Sequence, residues 1–206
     1  MKKLLLASAA ALAVVIAPGV LNSAHADVIF KSIPDLTINP TTNAWCSSCG
    51  GGYQVYDTFT LQWASTVSNI DFAVQSNGNF ATTITVSIDA LANGGTPGTQ
   101  LFTQDFSPSS FTYTNTPNNT SIVSVSPSAL TLAAGSYDIS FYNPSFLGVP
   151  GYHKAGGVLY QSGIGFHSGQ SAGFAIQGTD VPEPASMTLL GAGLAGIGII
   201  RRRKAA

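Results

Sequence analysis

Cys46 and Cys49 stand two residues apart in Trp45-Cys46-Ser47-Ser48-Cys49, followed by Gly50, Gly51 and Gly52. That spacing serves a redox dithiol, part of a metal site or a short disulfide loop. A redox dithiol needs a strand before it and a helix after it, whose N-terminus lowers the first thiol's pKa. Three glycines make a poor helix start. Two thiolates also fall short of the four ligands a structural zinc takes. In an oxidising compartment the expectation is a Cys46–Cys49 disulfide, contributing about 2 kcal/mol before strain. Gly169-Gln170-Ser171-Ala172-Gly173 fits the nucleophile elbow letter for letter. The elbow needs a strand-to-helix turn, with an acid and then a histidine later in the chain. No histidine comes after Ser171, and the residues beyond it read as strand. His153 and His167 have no metal-ligand spacing and are expected as exposed loop residues.

Aspartates supply the remaining chemistry. Asp71, Asp89, Asp105 and Asp138 are candidate calcium ligands by composition, although none belongs to a loop of spaced carboxylates. The expectation for them is solvated strand and turn positions, with no cofactor and calcium as the one ion the composition could serve. A glycosidase would need two carboxylates about 5 to 10 Å apart. Residues 27–180 contain no glutamate, so two aspartates would have to do that work. Tyr113, Tyr137, Tyr142, Tyr152 and Tyr160 could stack on sugars, but aromatics in a sheet protein are more often core. No catalytic residue is assigned.

These residues must be carried by strands. Thr83-Ile84-Thr85-Val86-Ser87-Ile88-Asp89 alternates polar and apolar, the period of a half-buried strand. Ser121–Val125 and Tyr137–Phe141 repeat it less strictly. Further candidates are Val28–Ile33, Val55–Leu61, Ile70–Val74, Gln100–Phe106, Ala129–Leu132, Gly157–Gln161 and Gly173–Gln177. Turn clusters such as Ser76-Asn77-Gly78-Asn79 and Asn93-Gly94-Gly95-Thr96-Pro97-Gly98 separate them. Short strands with such turns, and no sustained 3.6-residue period, predict an all-β antiparallel β-sandwich, jelly-roll-like or immunoglobulin-like. No fixed repeat is visible.

Charge is segregated along the chain. The whole chain is formally −1, yet residues 27–180 hold eight aspartates against Lys31 and Lys154, so 2 − 8 = −6. Such a body has no electrostatic basis for binding nucleic acid or an anionic membrane.

The two ends are of another kind. Lys2 and Lys3 precede an uncharged run from Leu4 to Ala17, and Ala24-His25-Ala26 offers a small-x-small cleavage site. This describes a signal peptide over residues 1–26, helical during export and removed by signal peptidase. At the other end, fourteen uncharged residues run from Met187 to Ile200. As a helix they would span only about 21 Å at 1.5 Å per residue, against a hydrocarbon core of about 30 Å. Leu189, Leu190, Leu194, Ile197, Ile199 and Ile200 together contribute about −2 to −4 kcal/mol on insertion scales. Gly191, Gly193 and Gly196 satisfy a dinucleotide fingerprint, but no βαβ unit surrounds them. Small residues here suit close helix packing in the membrane. Arg201, Arg202, Arg203 and Lys204 would hold the end in the cytoplasm and snorkel to stretch the span. The expected organisation is a signal peptide at 1–26, an exported domain at 27–180 and a transmembrane-like tail at 181–206.

Val181-Pro182-Glu183-Pro184, the glycine-rich apolar segment and the terminal basic cluster together resemble the PEP-CTERM sorting signal, a tail also called an ice-binding protein C-terminal domain. The resemblance implies recognition by exosortase, a membrane cysteine transpeptidase, and transfer from transient inner-membrane anchoring to the surface of a Gram-negative bacterium. Between Val55 and Asn143, "VYDTFTLQWASTVSNIDFAVQ", "TVSIDALANGGTPGTQLFTQDF" and "LTLAAGSYDISFYN" are similar to a module recurring in PEP-CTERM proteins. That likeness implies successive strands and turns and carries no catalytic residues. The functional expectation is a non-catalytic matrix or biofilm protein with exopolysaccharide or sibling proteins as partners. The alternative is a secreted carbohydrate-binding or carbohydrate-active jelly-roll protein. An ice-binding surface would need a flat threonine array, of which "TTITVS" is one short piece.

Overall fold

The structure is a computed structural model and describes residues 26–37, 44–47, 53–75, 83–116, 120–143, 147–181 and Gly191. The signal peptide up to His25, Cys49 and the tail from Pro182 on, apart from Gly191, lie outside the described residues. The two expected terminal helices are therefore not described. Gly191 has helical backbone, and no described helix is long and apolar enough to cross a membrane.

The described body is all-β, as expected. Its strands are β1 (Asp27–Lys31), β2 (Ala44–Ser47), β3 (Val55–Leu61), β4 (Ser65–Gln75), β5 (Ile84–Leu91), β6 (Pro97–Phe106) and β7 (Phe111–Asn115). They continue with β8 (Thr120–Val125), β9 (Leu130–Leu132), β10 (Gly135–Tyr142), β11 (Leu147–Gln161), β12 (Gly165–Ala172) and β13 (Phe174–Asp180). Every pairing is antiparallel. One hydrogen-bonded path runs β1-β13-β4-β11-β3-β10-β5-β6, with the other strands attached beside it.

Two strands organise the path. β4 pairs with β13 along one edge and with β8 and β9 along the other. β11 changes partners along its length: its first residues pair with β2 and β4, its last with β3, and β12 follows it through a register break between His153 and Val158.

The alternation seen in the sequence is the burial pattern. Val55, Phe59 and Leu61 of β3, Phe72 and Val74 of β4, Ile84, Val86 and Ile88 of β5, and Ile139 and Phe141 of β10 belong to one core. Phe72 stacks on Phe141 with centroids 4.0 Å apart, although β4 and β10 are not hydrogen-bonded neighbours. Phe174 extends the cluster to Phe30 at 5.3 Å and Phe59 at 6.0 Å. Burying each such ring contributes about 1.5–3 kcal/mol.

The strand expectations differ from the structure in instructive places. β3 has the expected bounds, whereas β4 and β11 are longer than the runs that signalled them. β2, β7 and β12 were not expected. The sequence of β12, Gly165-Phe166-His167-Ser168-Gly169-Gln170-Ser171-Ala172, has little intrinsic strand preference. It is a strand because β11 supplies a ladder from Gly151 to Gln161. Gly173, which ends it, is required by packing: a Cβ there would stand 2.5 Å from the Tyr152 ring.

Candidate functional site

Ser171 of the apparent nucleophile elbow lies fully buried at the end of β12, and the chain passes through Gly173 into strand β13. Its hydroxyl donates to Asp57 Oδ2 at 2.6 Å and reaches the Ala172 carbonyl at 3.1 Å. Asp57 is only 3% exposed and sits between Val55 and Phe59 on the core-facing side of β3. The Thr58 amide donates to its Oδ1 at 2.9 Å. Burial pushes the Asp57 carboxyl up to about 7, against the opposing pull of Ser171, the Lys154 charge and the Thr58 and Ala172 amides. This is a tie between β3 and β12, away from any strand-to-helix turn. The strict alternation Val55-x-Asp57-x-Phe59 was the signal that could have singled out Asp57.

The opposite face of β3, β10 and β5 carries the oxygen-rich part of the molecule. Asp138 lies directly across from Asp89 on one side and from Thr58 on the other. The next row on the same face is Tyr160, Tyr56, Ser140, Ser87 and Thr103. Asp138 is 1% exposed and Asp89 5%. Both oxygens of Asp138 and Oδ1 of Asp89 have no hydrogen-bond partner. Burial, and then the Asp89 charge, pushes the Asp138 carboxyl up to about 7, and burial raises Asp89 as well. The same burial, followed by the two carboxylates, pushes Tyr56 up to about 12.

Beside this pair the polar groups are satisfied. Tyr56 donates to Gln54 Oε1 at 2.5 Å, and Gln54 Nε2 donates to Ser140 Oγ at 3.0 Å. Tyr56 continues outward through Tyr160 at 6.1 Å and Phe166 at 5.0 Å, the last half exposed. Of the four aspartates singled out in the sequence, the structure thus joins Asp89 and Asp138 and leaves the others elsewhere. Asp71 accepts from Asn69, Gln177 and Ser124, and Asp105 accepts from Thr85.

A second cluster surrounds the first cysteine. Trp45 on β2 stacks on His167 with centroids 3.7 Å apart, and its indole N–H donates to Gln170 Oε1 at 2.6 Å. His167 is half-buried rather than an exposed loop residue, and burial lowers its pKa. His153 is exposed. The Cys46 carbonyl accepts from Gln161 Nε2 at 3.0 Å, and no described cysteine is a free thiol. Among the described residues, no three His, Cys, Asp or Glu side chains gather as a metal site.

The body hands over to the tail at the end of β13. Asp180 pairs with Ser65, whose hydroxyl donates to Asp180 Oδ1 at 2.8 Å. The Val181 amide then donates to the Ala64 carbonyl at 2.7 Å, the last described bond of the ladder. On the partner side the chain bends at Gln62 and Trp63 between β3 and β4, so β4 offers no further ladder position beyond Ala64. In the sequence Pro182 and Pro184 follow, and proline fixes φ near −65°, away from the strand value of about −140°. Around this exit lies a cavity of about 500 Å³ lined by Val28, Lys31, Trp63 and Asp180 among others.

Taken together, the described residues define an all-antiparallel β body whose last strand runs directly into a Pro-Glu-Pro segment. Residues 180–204 match the PEP-CTERM protein-sorting motif, so the chain carries the sorting signal its tail resembles and is an exosortase substrate by that motif. The match begins at Asp180, the last residue of β13. The motif supports export and a cell-surface or extracellular fate. No protein of curated function matches the chain.

Proposed function

We propose that this chain is a non-catalytic β-sandwich protein of the extracellular matrix or biofilm of a Gram-negative bacterium. It is anchored transiently in the inner membrane and then cut free by exosortase. The carrying observation is the sorting motif at residues 180–204, which starts where the sheet ends. The stacking of Phe72 on Phe141 across strands that share no hydrogen bonds supports a sheet folded over a common core. A Cys46–Cys49 disulfide completes the reading, supported by their two-residue spacing and by export to an oxidising compartment. Its partners are exopolysaccharide or sibling matrix proteins.

Deleting exosortase from the producing cells tests the sorting part. The protein should then stay in the membrane fraction with its tail, and unchanged release would refute the reading. For the matrix part, the mature protein should be retained on native polysaccharide above a charge-matched control.

One observation favours a carbohydrate-active alternative, namely the facing Asp89–Asp138 pair. Their exposures of 5% and 1% weigh against it, because a sugar must reach both carboxyls. Hydrolysis of the matrix polysaccharide, lost in Asp138→Asn, would favour that alternative.

A further inference from the structure

We propose that Asp89 and Asp138 together bind a hard divalent cation, and that calcium fits best. The two face each other across β5 and β10. Directly opposed cross-strand side chains have Cβ atoms about 4.5–5.5 Å apart, and like charges in that position repel. Three of the four carboxylate oxygens accept no hydrogen bond, although the residues are 5% and 1% exposed. Uncompensated buried carboxylates are among the costliest groups a fold can hold.

Among the described residues no basic side chain compensates the pair. Its described lysines are Lys31, whose charge acts on Asp35, and Lys154, whose charge acts on Asp57. Neither is among the influences on Asp89 or Asp138. Elsewhere the chain satisfies its carboxylates with ordinary donors, as at Asp71 and Asp105. The pair is different, which points to a partner from outside the chain.

The surrounding donor set selects the kind of partner. Thr58, Tyr56, Ser140 and Ser87 share the face, so the neighbourhood offers oxygen and no thiolate or imidazole. Carboxylate and hydroxyl oxygens suit hard cations rather than soft ones. Two bidentate carboxylates give up to four ligands, and hydroxyls and water would fill the six to eight that calcium takes. Magnesium demands a stricter octahedron than two opposed strand side chains provide. The resulting site resembles extracellular calcium modules, with dissociation constants of about 10⁻⁴–10⁻³ M.

The test uses the mature exported protein with calcium chloride and with terbium as a luminescent stand-in. At pH 7.5 the unfolding temperature should rise by about 3–11 °C between EDTA and 10 mM calcium. Terbium emission excited through tyrosine should saturate and be displaced by calcium. Both responses should vanish in Asp138→Asn and Asp89→Asn and survive in Asp105→Asn. If Asp138→Asn fails to fold, Asp89→Asn alone decides. No response in the wild type up to 10 mM calcium, or a response that persists in Asp89→Asn, overturns the proposal. A wild type that ignores calcium while Asp138→Asn gains stability at neutral pH would assign the pair a shared proton instead, and overturns it as well.

Discussion

Asp57 makes the stability of the body depend on pH in a direction opposite to that of most carboxylates. Its carboxyl is buried and its pKa stands at about 7, against an ordinary 3.8. Between those values the folded state holds a proton that the unfolded state has released. Stability is therefore complete below pH 3.8 and falls as pH rises towards 7. At about 1.36 kcal/mol per pH unit, the gap amounts to about 4 kcal/mol lost by pH 7. The hydrogen bonds suggest how to recover it. Ser171 donates to Asp57 Oδ2 and stands 3.1 Å from the Ala172 carbonyl. With Asp57 protonated the 2.6 Å bond can reverse and Ser171 can donate to that carbonyl instead, while Oδ1 still accepts from the Thr58 amide. Asparagine repeats that pattern without a titrating group. Asp57→Asn should then stand between level with the wild type and about 2 kcal/mol below it near pH 4, the second amide hydrogen setting the cost, and exceed it above pH 7 by about 2–4 kcal/mol. Urea unfolding at half-unit steps from pH 4 to 8 measures this directly. An unchanged slope in Asp57→Asn, or a variant weaker than wild type at pH 8, would refute the buried-acid reasoning.

Phe72→Ala removes one ring of the 4.0 Å stack with Phe141 and should cost about 3–5 kcal/mol in denaturant unfolding. A loss below about 1 kcal/mol would mean that the strands are not packed over a shared core. At the tail, Pro182→Ala combined with Pro184→Ala should slow tail removal, because proline keeps the segment extended and open to a processing enzyme. Intact mass over time reads this, and removal at the wild-type rate in the double variant would refute it.

Much of the fold was legible because burial follows a period of two. Val55–Leu61 reads as a strand and is one, with Val55, Phe59 and Leu61 turned to the core. β12 was illegible because its glycines and serines take strand form only beside β11. Asp89 and Asp138 were visible as acids, but their pairing depends on register between strands nearly fifty residues apart, which no local pattern carries. Asp57 broke an apolar face and so left a local trace. The stack of Trp45 on His167 left none, since it joins β2 to β12 across more than a hundred residues. The sorting signal was fully legible, because its chemistry depends on composition and order rather than on contacts.

Under the proposed function both ends are addressing segments, trimmed from a β body that ends up outside the cell. Intact mass of the protein recovered from the culture surface tests it most directly. The product should begin at Asp27, lack the basic cluster Arg201–Lys204, and be two hydrogens lighter than its reduced form through Cys46 and Cys49. A surface product retaining both Met1 and Ala206 would contradict it.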